Sequence, residues 1–199
     1  MGLTTRYERL DSRVLADDWG LLTKTRLRMT RADGTAHELA REVYDRGDGA
    51  VVLPYDPGRR HVLLVRQWRW PAAYNREDDP HLIEAAAGLL EGDDPEERMR
   101  AEAEEELGVR LGPAERLFTL YSSPGSVSER LHYFAARYAA ADATARIAGN
   151  AEEHEETEVL DLPLDDALRM LADGRIRDAK TAVLLLHAAL HLMPSEDRP

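Results

Sequence analysis

The chain has 199 residues and a mass of 22.4 kDa, which suits one domain with at most a small accessory element and leaves little room for two full domains. At 43% hydrophobic residues it can bury about 70% of its unfolded surface without staples, and the absence of Cys excludes disulfides, thiol nucleophiles and thiolate metal sites. With 26 Lys and Arg against 38 Asp and Glu, the net charge of −12 opposes binding to nucleic-acid phosphates; an anionic phosphate substrate is workable only if cations stand between the two negative surfaces.

The opening MGLTTRYERLDSRVL has no apolar run of signal-peptide length, and Arg6 stands where a myristoylation signal wants Ser or Thr. The expectation is an unprocessed cytoplasmic protein. Leu21 to Met29 and His37 to Tyr44 read as strands around Asp33-Gly34, an antiparallel ribbon. Ala50 to Tyr55 and Val62 to Trp70 read as a second hairpin about Asp56-Pro57-Gly58. Leu82 to Ala87 is a short apolar strand running into Gly88. From Pro95 to Leu107 the residues are helix formers, with Asp93 and Asp94 as cap signals and Gly108 as stop.

Arg116 to Tyr121, Leu131 to Tyr138 and Thr157 to Leu162 read as further strands. The Ala-rich stretch from Ala135 to Ala148 reads as a strand end and mobile loop. Pro163 to Ala172 and Lys180 to Leu192 carry helical spacing, the second capped by Asp178. Ala182 to Met193 is the longest apolar stretch, too short for the roughly 20 residues of a membrane span.

Nine of the sixteen residues from Glu91 to Glu106 are acidic and two are basic, a local charge of −7. At about 100° per residue with Arg98 at zero, Glu102 falls at roughly 40°, Glu105 at roughly −20°, Glu106 at roughly 80° and Glu104 at roughly 240°. Three carboxylates share one face and Glu104 takes the other. Such a face is either a solvated charged surface or a site for a hard cation; Mg²⁺ usually takes one or two carboxylates plus substrate phosphates. Glu152, Glu153, Glu155 and Glu156 form a second acidic group downstream.

Gly88 to Val109 (GLLEGDDPEERMRAEAEEELGV) resembles the Nudix box, G-x5-E-x7-R-E-U-x-E-E-x-G-U with U aliphatic. It departs in being one residue short, with Asp94 for the Glu, Ala101 for the Arg and Ala103 for the larger aliphatic residue; Arg98, one turn before Glu102, can partly replace the missing Arg. Arg41 to Ala50 (REVYDRGDGA), Leu63 to Arg69, Leu120 to Glu129, Glu158 to Pro163 and Gly174 to Thr181 are similar to the GDP-mannose pyrophosphatase type in the nucleotide-sugar branch of Nudix hydrolases.

The resemblance implies a Nudix-type α/β/α sandwich with a mixed β-sheet over residues 48–199. An N-terminal antiparallel β-ribbon over 1–47 would serve dimerisation and substrate contacts. It implies Mg²⁺-dependent hydrolysis, with Mn²⁺ as the other candidate, of a nucleoside diphosphate sugar such as GDP-mannose, by a homodimer that binds neither nucleic acid nor membrane. Glu102, Glu105, Glu106 and Glu155 would be catalytic and metal-binding, with the Ala87 carbonyl completing the metal shell. Trp19, Arg41, Glu42, Arg69, Gly88, Leu89, Glu129 and Lys180 would bind substrate.

Plainer readings stand beside these. Trp19 either covers a core edge or stacks on a base, Arg41 and Arg69 can be ordinary strand-surface charges, and any Glu of the late loop can replace Glu155 if its register slips. Hydrolysis of ADP-ribose, or nucleotide-sugar sensing by a decayed box, are the alternative functions. His187 and His191 lack the Glu of a metalloprotease motif, and neither G-x-S-x-G nor a P-loop occurs.

Overall fold

The computed structural model describes residues 6–141, 143, 146–148 and 157–194. The chain divides into two compact units at Asp48/Gly49, with Tyr121–Arg130 joining the N-terminal unit and Leu131 onward the other.

The N-terminal unit holds a three-stranded antiparallel sheet of β1 (Arg6–Asp17), β2 (Leu21–Thr30) and β3 (Ala36–Asp45). The sequence pattern predicts the last two strands and misses β1, because RYERLDSRVLAD shows no apolar alternation. Pairing across the sheet holds it instead: Asp11 with Arg26 at 2.7 Å, Glu8 with Arg28 at 3.1 Å and Ser12 with Thr25 at 2.7 Å. No described residue up to Asp48 is buried, and Tyr7, Val14 and Trp19 are exposed. Exposed ion pairs contribute only about 0.2–1 kcal/mol each, so this sheet lacks the apolar cover that sheets normally need. In the same unit Tyr44 forms a parallel bridge to Val127.

The larger unit is built on an eight-stranded mixed sheet. Its main path runs β10 (Ile147–Ala148), β11 (Thr157–Pro163), β5 (His61–Trp68), β4 (Gly49–Asp56), β9 (Arg130–Arg137) and β8 (Ala114–Tyr121). Strand β4 runs parallel to β9 and antiparallel to β5. Its side chains alternate between two cores: Val51 and Leu53 pack with Leu164, Leu184 and Leu185 of α3 (Leu164–Ala172) and α4 (Ala179–His187), while Ala50 and Val52 pack with Met99, Ala103 and Leu107 of α2 (Pro95–Leu107). A sheet buried on both faces reads as continuous apolar runs, as β4 and β5 do.

Strands β4 and β5 pair through Tyr55 with Val62 and Asp56 with His61, beside their turn. Beyond that, residues 81–89 stand between them: β6 (His81–Glu84) pairs with β5 and β7 (Ala86–Leu89) with β4. The sequence reading takes Leu82 to Ala87 as one strand, since nothing in an apolar run marks the change of partner at Ala85. Strand β5 also stops at Trp68, two residues before the predicted end, and Pro71 sits in the first turn of a short helix α1 (Trp70–Tyr74).

Helix α2 has its predicted bounds. Asp94 caps it by accepting from Glu96 N at 2.9 Å, and Gly108 ends it in the left-handed region at φ 65°. Helix α4 stops at His187 and passes into a π-helical turn, Ala188–Leu192, rather than continuing as α-helix. Among the described residues no helix is long and apolar enough to cross a membrane.

Candidate active site

Helix α2 buries Met99, Ala103 and Leu107 at spacings of four, and the adjacent spacing buries Glu102 and Glu106, 5% and 4% exposed. Both carboxylates face strand β7. Glu106 Oε2 accepts from Ala87 N at 3.1 Å, and its Oε1 from the buried Gln67 Nε2 at 3.3 Å. Glu102 lies against Gly88 so closely that a Cβ there would stand 1.7 Å from Oε1. Arg98 Nη2 holds the same oxygen at 2.5 Å, so the helix-borne Arg one turn earlier does pair with Glu102.

The entrance loop closes by Asp93 N donating to Leu90 O at 2.8 Å, with Glu91 and Gly92 both at positive φ. A turn with two left-handed central residues is tight, which accommodates a loop one residue short. Glu104 is exposed and pairs with Arg110 at 2.8 Å, on the far side from the buried pair.

Two carboxylates sealed together are electrostatically unfavourable. Burial, and then the charge of Glu102, push the Glu106 pKa up to about 8, against the pull of Ala87 N–H, Arg69 and Gln67. This pair fits a divalent cation: two oxygen-donor side chains in a dry position that a positive charge relieves, beside backbone, with the glycine leaving the needed space. Glu105, by contrast, is exposed. Among the described residues no three acidic or histidine side chains gather closely enough to hold a metal by themselves, so further ligands must come from backbone, substrate or water.

Arg69 and Lys180 converge in the same unit. Arg69 donates Nε at 2.7 Å and Nη2 at 3.2 Å to the two oxygens of Glu84, and Lys180 Nζ donates to Glu84 Oε2. Burial works to raise the Glu84 pKa, yet Lys180 and Arg69 outweigh it and hold the carboxyl below its ordinary value. Leu89 is half-buried at the end of β7.

In the N-terminal unit, Trp19 and Glu129 meet through Arg46, whose guanidinium lies 4.8 Å from the Trp19 ring centroid and 3.1 Å from Glu129 Oε1. Arg41 is exposed on β3 with Nη1 donating to Ala40 O, and the neighbouring Glu42 pairs with Lys24 at 2.8 Å. Glu152, Glu153, Glu155 and Glu156 lie outside the described residues. Sequence reasoning missed Gln67, Glu84 and Arg46. Only Glu84 left a signal, as the lone charge inside the apolar run LIEAAAG.

A profile of the NUDIX domain matches residues 45–185. The chain belongs to the Nudix family. Nudix hydrolases are typically divalent-metal dependent, in keeping with the buried pair on α2. Residues 6–44, ahead of the Nudix domain, match the GDP-mannose pyrophosphatase NudK N-terminal domain.

Curated Nudix relatives align over nearly the whole chain. The GDP-mannose pyrophosphatase of Pectobacterium atrosepticum is 45% identical over 182 residues, covering 91% of this chain and 93% of that protein. That of Klebsiella pneumoniae is 44% identical, covering 88% of each, and that of Escherichia coli 41% identical over 96% of this chain and all of that protein.

Proposed function

We propose that this Nudix enzyme hydrolyses GDP-mannose to GMP and mannose 1-phosphate in the cytoplasm, as a homodimer. The observation that carries the substrate is the match of the N-terminal sheet, since it is the segment whose family is named for GDP-mannose pyrophosphatase. The absence of Cys fits a reducing compartment. The sheet β1–β3, without a buried residue of its own, is the surface that a second copy would cover.

Glu102, Glu106 and the Ala87 carbonyl would hold Mg²⁺ or Mn²⁺, with Glu105 and the late-loop Glu155 as further ligands or orienting groups. Such a cation, when bound, clamps phosphate oxygens and makes water a stronger nucleophile. The chain's own groups prepare that position. Arg98 aims Glu102, Gln67 and Ala87 N–H aim Glu106, and Gly88 leaves the room that Glu102 occupies.

Arg69 and Lys180 bring positive charge to an acidic chain where a diphosphate must approach. Water attacks one phosphorus as the bridging P–O bond breaks, giving two monophosphates and releasing a proton to solvent, and Glu155 would position that water. Leu89 of the larger unit, and Trp19, Arg41, Glu42 and Glu129 of the N-terminal unit, are proposed from the resemblance alone as further substrate-binding residues.

Purified protein supplied with Mg²⁺ and, separately, GDP-mannose, ADP-ribose and UDP-glucose tests this reading by product chromatography. GDP-mannose is expected to give GMP and mannose 1-phosphate with the highest kcat/KM. A higher value for ADP-ribose replaces the assignment with ADP-ribose pyrophosphatase. Tight binding without cleavage of any replaces it with a non-catalytic sensor.

A further inference from the structure

Glu84 ends β6 only 2% exposed. Keeping a carboxylate there is costly, and an apolar residue of similar volume in place of a buried ion pair is commonly no less stable. What Glu84 gains is two cations from distant parts of the chain. Arg69, just beyond β5, engages both its oxygens, and Lys180, 96 residues on in sequence, engages Oε2. Neither cation takes its place unaided: the first turn of a helix disfavours Lys180, and two cations at one carboxylate repel each other.

The surrounding bonds fix this arrangement from the other end. Asp178, the cap of α4, accepts from Lys180 Nζ at 3.0 Å through Oδ1, and through Oδ2 from Thr181 N at 2.9 Å and Thr181 Oγ1 at 2.6 Å. Thr181 Oγ1 in turn accepts from Ala85 N at 2.7 Å. The residue after Glu84 is therefore tied to the helix turn that carries Lys180, and strand and helix cannot shift independently.

We propose that Glu84 is a positioning residue for substrate, holding Arg69 and Lys180 at one fixed spacing so that the diphosphate of the nucleotide sugar meets two pre-oriented cations. This rests on the reading that Arg69 and Lys180 contact substrate. Glu84 takes two of the five donors of the guanidinium and one of the three of the ammonium, whose second donor goes to Asp178. It sets direction while each side chain retains its charge. Pre-orientation removes the entropy that two long side chains lose when they close on a ligand.

Steady-state kinetics on GDP-mannose with Mg²⁺, for Glu84→Gln, Glu84→Asp, Lys180→Ala, Arg69→Ala and the Glu84→Gln/Lys180→Ala double variant, decide the matter. Glu84→Gln is expected to raise KM about tenfold to a hundredfold, the size of a lost charged hydrogen-bond pair, with kcat changed far less. Glu84→Asp keeps the charge but draws it back by one methylene, and is expected to raise KM by a smaller factor with the fold intact. The double variant should raise KM by less than the product of the two separate factors.

If Glu84→Gln fails to fold, Glu84→Asp and its KM carry the test. Unchanged KM in Lys180→Ala and Arg69→Ala would overturn the substrate-contact reading and the proposal with it. If those two raise KM while neither Glu84 variant does, or if the factors multiply, the proposal fails and the reading stands.

Discussion

Glu106→Gln is expected to lower kcat/KM by about three orders of magnitude, the several kcal/mol that a cation contributes at a developing phosphate charge, while Glu104→Gln leaves it nearly unchanged. The two residues share a helix and a charge, and differ in what they face. Glu106 is buried against Ala87 and Gln67, whereas Glu104 is exposed beside Arg110. Equal losses at both would show that the helix presents its other side to the substrate.

The same variant carries an opposite effect on stability when metal is absent. The Glu106 carboxyl rises from 4.5 to about 8 on folding, chiefly by burial and then by the Glu102 charge. A raised folded value gives stability that is fully present below the unfolded value and lost as pH climbs through the folded one. Wild-type protein in EDTA should therefore lose stability between about pH 4.5 and pH 8, and Glu106→Gln, which cannot ionise, should lack that part of the decline. Melting curves at pH 5 and pH 8.5 check it: the variant melts above wild type at the higher pH only. The same pH slope in both proteins would contradict the assignment of the proton to Glu106.

Gly88→Ala is the second large effect. A methyl at this position would stand 1.7 Å from Glu102 Oε1, 2.2 Å from Cδ and 2.9 Å from Cγ. Something must move, and the Glu102 carboxyl, held by Arg98, is the far end of a flexible side chain while β7 is fixed by pairing with β4. The backbone at Gly88 is not among the positive-φ glycines, so the cost falls on the carboxylate rather than on chain conformation.

The expected outcome is a folded protein with kcat/KM reduced about a hundredfold, as when a group that orients a metal ligand is disturbed. In a Glu102→Ala background the methyl has space, and Gly88→Ala should then cost almost nothing more. Independent, additive losses would mean that Gly88 acts by some route other than Glu102.

What could be read from the amino-acid order was local. Asp94-Pro95 opens helix α2 and Gly108 ends it, and a helical period alone separates Glu104 from Glu102 and Glu106. Strand β1 was not legible, since its residues are charged on both sides and its order comes from partners on β2. The change from β6 to β7 at Ala85 was hidden for the opposite reason, in a run apolar but for Glu84.

The partners of Glu84 were beyond reach because they are 15 and 96 residues away, and no local pattern encodes a tertiary pairing. Glu105 shares the carboxylate face by period, yet lies exposed where the other two are buried. Helix geometry gives direction, while depth depends on what packs alongside, here β7 and its neighbour β4.

A calorimetric titration of Mn²⁺ into wild type, Glu102→Gln, Glu106→Gln and Glu104→Gln at one pH tests most directly whether the buried carboxylate pair gathers the cation. Wild type and Glu104→Gln should bind alike, and the two variants of the buried pair at least about tenfold more weakly. Equal affinity in all four proteins would place the cation elsewhere and contradict the site built on Glu102 and Glu106.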